Sequence, residues 1–266
     1  MSRAWFSVLL AAATTFALAF LALPVIAVFT NTSPSQLINS LGDPEATDAL
    51  RLSLETTAIA VATIVVVGTP AAYFLATRSF PGRSVVITLV ELPLVLPPAV
   101  AGIALLAALG PHGILGGALH DAHIQLVLQT AGVIVALTFV SAPFYLRQAQ
   151  SSFEAIDRSL IDASRTLGSG EAGSFLRVAI PVAIPGLIAG LALAWGRALG
   201  EFGATLMFAG SFRGITQTAP LAIYDQFATD FPAALALAAI LIVVSAGLLL
   251  SVKLVLGARI FAGAAR

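Results

Sequence analysis

Two opposite charges lie four residues apart in an otherwise apolar segment. Arg197 and Glu201 interrupt a run from about Pro181 to Met207. Residues spaced i and i+4 share one face of a helix, so the two side chains are expected to meet. An arginine buried at mid-depth in a membrane costs roughly 2.5–3.5 kcal/mol, and such groups usually face the protein interior. The pair is therefore either an internal salt bridge, which we favour, or a site where Arg197 attracts an anion.

A second group of side chains could hold a metal. His112, His120 and His123 occur close to Asp121. Imidazoles and a carboxylate are zinc ligands, but these four show no regular ligand spacing, and we expect a solvated turn without metal. The sequence has no cysteine, which excludes disulfides and thiolate sites. No nucleophile–base set or paired carboxylates are evident, so we expect neither catalytic residues nor a cofactor.

The composition indicates a membrane protein. Hydrophobic residues make up 59% of the chain and charged residues 10%, and the mean hydropathy is +1.00. A soluble domain usually carries about a quarter charged residues. The thirteen basic and thirteen acidic residues cancel, so nothing suggests a nucleic-acid partner. We expect the chain to be embedded in membrane lipid.

Apolar runs predict about six transmembrane helices, because a bilayer core of roughly 30 Å needs about 20 apolar residues in a helix. The runs lie near Ala4–Phe29, Ser53–Ala76, Val85–Leu109, Ile124–Tyr145, Pro181–Met207 and Pro232–Leu256. The first is longer than a typical signal-peptide core, so we expect it to be a retained span. The predicted fold is all-α, a polytopic membrane protein with one transmembrane domain over residues 1–266.

The distribution of basic residues predicts the orientation. With both termini cytoplasmic, the outer segments hold only Arg51 and Arg213, and Arg197 lies within a span. The inner segments then hold the other basic residues, which are Arg3, Arg78, Arg83, Arg147, Arg158, Arg165, Arg177, Lys253, Arg259 and Arg266. We therefore expect a multi-pass protein of a cell membrane with both termini in the cytoplasm.

Prolines interrupt the third predicted span. Pro93, Pro97 and Pro98 break its backbone hydrogen bonding. Non-helical backbone at membrane depth persists only where it is buried in protein or lines a cavity, so this stretch is either a pore-lining segment or a packing kink. Glu91, early in the same span, is expected to lie at the inner interface or to pair with a basic residue, and we assign it no role.

The longest cytoplasmic connection, about residues 147–180, reads as two short helices separated by glycine. Ser159 is a candidate N-cap with Asp162 as the third residue after it, a variant of the capping box. Gly168 suits the position after the helix, where a left-handed residue is needed. Pro181 is expected to start the next span. Composition alone would also allow a solvated linker.

The spacing within this connection resembles a known motif. Asp162-Ala163-Ser164, then Gly168, then Val178-Ala179-Ile180-Pro181 is similar to the "EAA" loop of ABC importer permeases. Asp162 replaces the usual glutamate and Ser164 the second alanine, both conservative changes. The resemblance implies that the loop is a short helix docking into a groove on an ATPase subunit.

Further segments resemble molybdate permeases and, less closely, sulfate permeases. They are Leu92–Pro98, Arg197–Thr205 and Thr216–Pro220. The resemblance implies a homodimer with two cytoplasmic ABC ATPases and an extracytoplasmic substrate-binding protein that delivers molybdate or tungstate. Sulfate or thiosulfate is the alternative cargo. A proton-coupled transporter using Glu91 or Glu201 is a rival, although it would not need this loop. The chain has no P-loop, so any ATPase must be a partner.

One outer connection, Gly210–Pro220, is a candidate gate. Thr216, Gln217 and Thr218 offer hydroxyl and amide donors, and the apolar stretch that follows, Leu221–Phe227, is too short to cross a bilayer. The family resemblance places this connection near the outer mouth of the pathway. We predict a re-entrant or interfacial element, with a passive surface loop as the alternative.

Overall fold

The structure is a computed structural model that describes residues 3–264, and over that range it is built from helices and turns. In chain order the helices are α1 (Arg3–Thr30), α2 (Pro34–Gly42), α3 (Pro44–Thr77), α4 (Arg83–Val95), α5 (Pro98–Leu109), α6 (Gly116–Asp121), α7 (Thr130–Glu154), α8 (Arg158–Thr166), α9 (Glu171–Ser174), a π-helical turn (Phe175–Ala179), α10 (Ile180–Leu199), α11 (Gly203–Ala209), α12 (Ala219–Thr229) and α13 (Phe231–Ala264). The all-α prediction is confirmed.

Among the described residues, five helices are long and apolar enough to cross a membrane. They are α1, α3, α7, the continuous helix from Glu171 to Leu199, and α13. The third predicted span is instead two shorter helices, α4 and α5. The chain is thus a multi-pass membrane protein, and the segment predicted as its third span is discontinuous.

Proline causes this discontinuity. Leu96 has an extended backbone, with φ −70° and ψ 132°, as expected for a residue that precedes proline. Pro97 lacks an N–H group, and Pro98 takes the first position of α5, where its missing donor costs nothing. The prediction of a break in this span is confirmed.

The fifth span differs from its prediction at both ends. It begins at Glu171 rather than Pro181, because α9, the π-helical turn and α10 follow one another without a break. The π-helical turn Phe175–Ala179 directly precedes α10, and the helix continues through Pro181 without interruption. The helix ends at Leu199, so the prediction that Glu201 lies on it is wrong.

Helices α3, α7 and α10 pack together at the centre of the described chain. Small side chains at their contacts let the helices approach closely, as is usual inside membranes. The buried ones include Ala60, Ala72, Ala149, Ala194 and Ala198. Tyr145 of α7 is buried there, and its hydroxyl lies 2.6 Å from the hydroxyl of Thr69 on α3. By contrast, the most apolar window of α1 is exposed throughout.

Polar contacts divide the helix ends into two sides. On one side, which we name the arginine-rich side, Arg78 pairs with Glu171 and Arg83 with Glu154. On the other, which we name the outer side, the Thr130 hydroxyl donates to the Ile215 carbonyl over 2.8 Å. The orientation prediction also uses Arg3, Lys253, Arg259 and Arg266, which lie outside the residues whose side chains are described.

Candidate functional site

The short helix α8 carries the first half of the connection that resembles the EAA loop, about residues 147–180, which we call the coupling loop. Asp157 caps it, because its carboxylate accepts a hydrogen bond from the Ser159 backbone N–H over 2.9 Å. This bond stabilises the charged form and lowers the pKa of the Asp157 carboxyl. The prediction that Ser159 is the cap is wrong: Asp157 has the extended backbone a cap requires, and Ser159 already lies in the first turn.

Gly168 ends this helix as predicted. Its φ is +87°, in the left-handed region that side chains with a Cβ adopt only at a cost. The Gly168 N–H donates to the Arg165 carbonyl over 3.0 Å, and the Ser169 N–H donates to the Ser164 carbonyl over 3.1 Å. These two bonds form a Schellman motif, which satisfies carbonyls at the end of α8.

The two faces of α8 differ. Asp162 and Ala163 are exposed, and Leu160 and Leu167 are 46% and 88% exposed. On the inner face Ser164 is buried, with its hydroxyl 3.0 Å from that of Ser174. Serine at this position therefore adds a hydrogen bond that the alanine of the usual motif cannot make. The exposed face of α8 presents apolar side chains away from the rest of the chain.

The second half of the loop leads directly into the membrane. Val178 is half-buried and Pro181 is exposed in the first turn of α10. Since helix continues from Glu171 to Leu199, a displacement of α8 and its neighbour would be transmitted to that span as a rigid element. The structure thus joins Asp162–Gly168 to Val178–Pro181 through the contact between Ser164 and Ser174.

Two helix breaks meet in the structure: the predicted one before Pro98 and a second, not predicted, between Leu199 and Gly203. A Cβ placed on Gly203 would lie 2.8 Å from the Cβ of Pro98, and one on Gly102 would lie 2.7 Å from the Ala204 carbonyl oxygen. Helix α5 therefore packs its backbone closely on α11. Pro97 and Pro98 are exposed beside this contact, and Pro93 lies half-buried in the last turn of α4.

Arg197 and Glu201 form an ion pair at the second break. The Glu201 side chain is 1% exposed, whereas that of Arg197 is 27% exposed. Glu201 also accepts a hydrogen bond from the Ala204 N–H over 2.7 Å, which satisfies a free donor at the start of α11. One carboxylate thus links the end of α10 to the start of the next helix.

The outer connection is packed into the protein. Thr216, Gln217 and Thr218 are 0%, 4% and 3% exposed. The Thr216 hydroxyl accepts from the Phe212 N–H over 2.9 Å, and the Gln217 amide donates to the Asp225 carboxylate over 3.1 Å. These side chains lie inside the chain, which is not the arrangement of a passive surface loop.

Several buried polar atoms on this side have no hydrogen-bond partner among the described residues. They are the Gln217 carbonyl oxygen and the hydroxyls of Thr205, Ser211 and Thr218. Buried polar groups are nearly always paired, and an unpaired one typically costs about 1–3 kcal/mol. The outer side therefore contains groups that another arrangement could satisfy better.

Some contacts of these segments could not be found from the sequence. The Ser53 hydroxyl accepts from the Ala219 N–H over 2.7 Å at the start of α12, although the two residues are 166 positions apart. Glu91 pairs with Arg147 at 3.2 Å, as the sequence allowed without naming the partner. No short-range signal marks either pair. His120 and Asp121 are exposed, and the described residues contain no metal-ligand group of three or more.

Comparisons with known proteins identify the class. The family described as binding-protein-dependent transport system inner membrane component matches residues 65–258. The chain belongs to this family and is a transport subunit. An alginate importer, a bacterial ABC transporter of known structure, shares its fold, with a TM-score of 0.76, 17% identity and 96% of each chain covered.

Several named relatives indicate which transport subunits the chain resembles. The molybdenum transport system permease protein ModB of Mycobacterium tuberculosis is 40% identical over 235 residues, covering 88% of each chain. A probable transport system permease, NifC of Clostridium pasteurianum, is 38% identical over 87% of this chain and 81% of its own. The molybdate/tungstate permease WtpB of Thermococcus kodakarensis is 34% identical over 79% of this chain and 80% of its own.

Proposed function

We propose that this chain is the membrane subunit of an ATP-driven importer of molybdate or tungstate. The observation that carries the proposal is its alignment with relatives named as molybdenum permeases over 88% of both chains. Such a length of similarity includes both helix breaks and the α8 loop. The subunit itself would perform no chemistry and would alternate access between the two sides of the membrane.

Uptake by the reconstituted transporter tests the cargo. The chain would be purified with its ATPase and binding protein, placed in vesicles and supplied with labelled molybdate and ATP. We expect ATP-dependent uptake that tungstate competes for and sulfate does not. Equal competition by sulfate or thiosulfate would instead support a sulfate permease. Uptake without ATP, driven by a proton gradient, would contradict the proposal.

An ATPase partner is supported by the exposed face of α8. Leu160 and Leu167 are exposed apolar side chains on a helix that also carries Asp162, at the arginine-rich side. A groove on a partner subunit would cover this face and remove that apolar area from water. We therefore propose that Asp162, Ala163, Ser164 and Gly168 form the ATPase-coupling helix, and that Val178 and Pro181 link it to the span.

A charge placed on this face tests the docking. Leu167→Glu should reduce co-purification of the ATPase and uptake, because a carboxylate would be buried at the contact. Ile114→Glu is a matched control, since Ile114 is also 88% exposed but lies in the turn between α5 and α6. Normal ATPase recovery with Leu167→Glu, or equal loss with Ile114→Glu, would contradict the docking surface.

The assembly we propose is a homodimer with two ATPases at the arginine-rich side. One chain offers one coupling loop, and the exposure of α1 leaves apolar area for lipid or for a second copy. Both termini would be cytoplasmic, with the binding protein at the outer side. The chain lacks cysteine, so single cysteines at Leu167 and Ile114 would report orientation. Only the Ile114 cysteine should react with an impermeant thiol reagent in intact cells.

The pathway is proposed to pass the two helix breaks and the outer connection. Pro93, Pro97 and Pro98 would permit one break, while Arg197 and Glu201 would fix the other. Thr216, Gln217 and Thr218 would close the outer side while no nucleotide is bound. A cysteine at Gln217 should react slowly in that state, because the side chain is 4% exposed, and faster with trapped ATP. Equal rates in both states, there and at Ile215, would show that the connection does not move.

A further inference from the structure

A charged groove lies on the arginine-rich side, between α8 and the ends of α3 and α7. Its volume is about 720 Å³. The charged side chains that line it are Arg78, Arg83, Arg158, Arg165, Glu154, Asp162 and Glu171. Four arginines against three carboxylates leave one positive charge uncompensated.

Two of these arginines have carboxylate partners and two do not. Arg78 pairs with Glu171, and Arg83 pairs with Glu154. Within the part of the chain that the structure describes, neither Arg158 nor Arg165 has an ion pair, although Asp162 lies one helical turn from each. The groove therefore has guanidinium groups free to bind an anion, for which their planar fork of donors is suited.

A second, apolar groove lies along α3 and α10. It has a volume of about 570 Å³. Its lining residues are Val65, Val66, Thr69, Pro70, Tyr145, Phe175, Ile180, Ile184, Leu187, Ile188 and Leu191. The two polar members, Thr69 and Tyr145, bond to each other over 2.6 Å, so this lining presents little unmet hydrogen-bonding capacity.

Three aromatic rings in contact with one another lie between the two grooves. Phe175 lines the apolar groove, and Tyr73 and Phe153 line the charged one. The ring centroid of Tyr73 lies 4.6 Å from that of Phe175 and 5.3 Å from that of Phe153. The α3 positions Val66, Pro70, Tyr73 and Thr77 follow helical spacing, so both grooves run along one face of that helix.

We infer that these two neighbouring grooves together bind one anionic phospholipid, with its phosphodiester beside Arg158 and Arg165 and an acyl chain between α3 and α10. The single negative charge of such a headgroup matches the uncompensated positive charge. Basic pockets between membrane helices on the cytoplasmic side commonly bind anionic headgroups. The inference rests on the proposed orientation and not on the cargo. Because the headgroup would contact α8, the lipid would connect the coupling helix to the span α3.

Lipid retention by the purified transporter tests this site. The complex would be stripped of lipid and titrated with phosphatidylglycerol or phosphatidylcholine, and bound lipid counted by native mass spectrometry. We expect tight binding of one phosphatidylglycerol per chain and much weaker binding of phosphatidylcholine. Arg158→Gln and Arg165→Gln should each weaken phosphatidylglycerol binding roughly fivefold, as for one basic residue near a charged headgroup.

Matched variants separate this site from general charge attraction. Arg177→Gln removes an exposed arginine of the same region that does not line the groove, and binding should stay unchanged. Ile188→Trp should weaken binding by filling the apolar groove. Equal retention of both lipids, or an equal loss with Arg177→Gln, would overturn the inference. All variants would first be compared with the parent for melting temperature and ATPase recovery, and a variant that fails would be replaced by Arg158→Met, Arg165→Met or Ile188→Phe.

Two other occupants give distinct results. If a soluble anion fills the charged groove, glycerol phosphate will compete as well as phosphatidylglycerol and Ile188→Trp will have no effect. If a second copy covers the apolar groove, a cysteine at Ile188 will crosslink between protomers and lipid binding will not depend on Ile188. Either result would overturn the phospholipid assignment while leaving the uptake and docking tests unaffected.

Discussion

The arginine-rich side and the outer side differ in which side chains they expose and which they bury. The ends of α8 are capped by neighbours in sequence, such as Asp157 with Ser159, and apolar Leu167 is left exposed. Around Thr216–Thr218, polar side chains are buried, and some of their atoms have no partner among the described residues. Helix α8 is thus capped locally and exposes apolar area, while the outer connection is buried and incompletely paired.

This difference is the one we expect if α8 is a docking element and the outer connection is an element that rearranges. An exposed apolar side chain costs little folding free energy, so α8 can remain folded before the ATPase binds. A buried unpaired hydroxyl destabilises the state that contains it, which lowers the free energy needed to reach another arrangement. We therefore expect substitutions on the outer side to affect stability and conformational balance, and those at α8 to affect coupling.

The largest effect is expected for the ion pair at the second break. Arg197→Met would leave the Glu201 carboxylate buried without its partner, which typically costs about 3–5 kcal/mol. Glu201→Gln should cost less, because Arg197 is partly exposed and glutamine can still accept from the Ala204 N–H. Melting temperatures and yields of the detergent-solubilised variants would measure the order.

The double variant decides what the pair is for. If the bridge is structural, Arg197→Met with Glu201→Gln should recover part of the stability and part of the uptake. If Arg197 attracts the anion, the double variant should fold and remain inactive. We expect partial recovery of both.

A smaller effect is expected where α5 meets α11. Gly102→Ala would place a Cβ 2.6 Å from the Cβ of Met207 and 2.7 Å from the Ala204 carbonyl oxygen. Overpacking of this kind costs typically 1–3 kcal/mol. Gly117→Ala, which would meet nothing within 4 Å, is the control. If Gly102→Ala melts like the parent, the close packing of the two helices is not needed for stability.

The sequence predicted features that depend on near neighbours or on solvent. Hydropathy identified the spans, the Leu96–Pro97 break follows from proline, and the left-handed turn at Gly168 follows from helix-termination chemistry. The start of the fifth span was missed. A proline such as the one in the first turn of α10 is compatible with the start of a helix but does not require one. The cap was misassigned because Asp157 and Ser159 are both good capping residues and spacing alone does not choose between them.

Contacts between segments far apart in the chain could not be predicted from the sequence. The Arg197–Glu201 ion pair, by contrast, was predicted from its i, i+4 spacing, and it forms although the helix ends at Leu199 between the two residues. Pro98 and Gly203 lie in two separate segments that resemble molybdate permeases, and only packing brings the two residues together. The burial of Thr216–Thr218 depends on α3 and α12, to which no local pattern points.

The smallest effect on stability, and the clearest one on coupling, is expected at Gly168. Gly168→Val would force a β-branched residue into a left-handed backbone at a cost of about 1–2 kcal/mol, although a Cβ there would meet nothing within 4 Å. The strain is therefore confined to the turn that ends α8. Gly170→Val is the matched control, because Gly170 has φ −64° and equally open surroundings two residues away. Insertion and melting temperature should change little in either variant, while ATPase recovery and uptake should fall only for Gly168→Val. If both variants lose coupling alike, bulk in the loop is responsible and the left-handed turn is not. If neither loses it, the end of α8 does not position the ATPase, and the contrast between the two sides of the membrane would have to rest on the outer side alone.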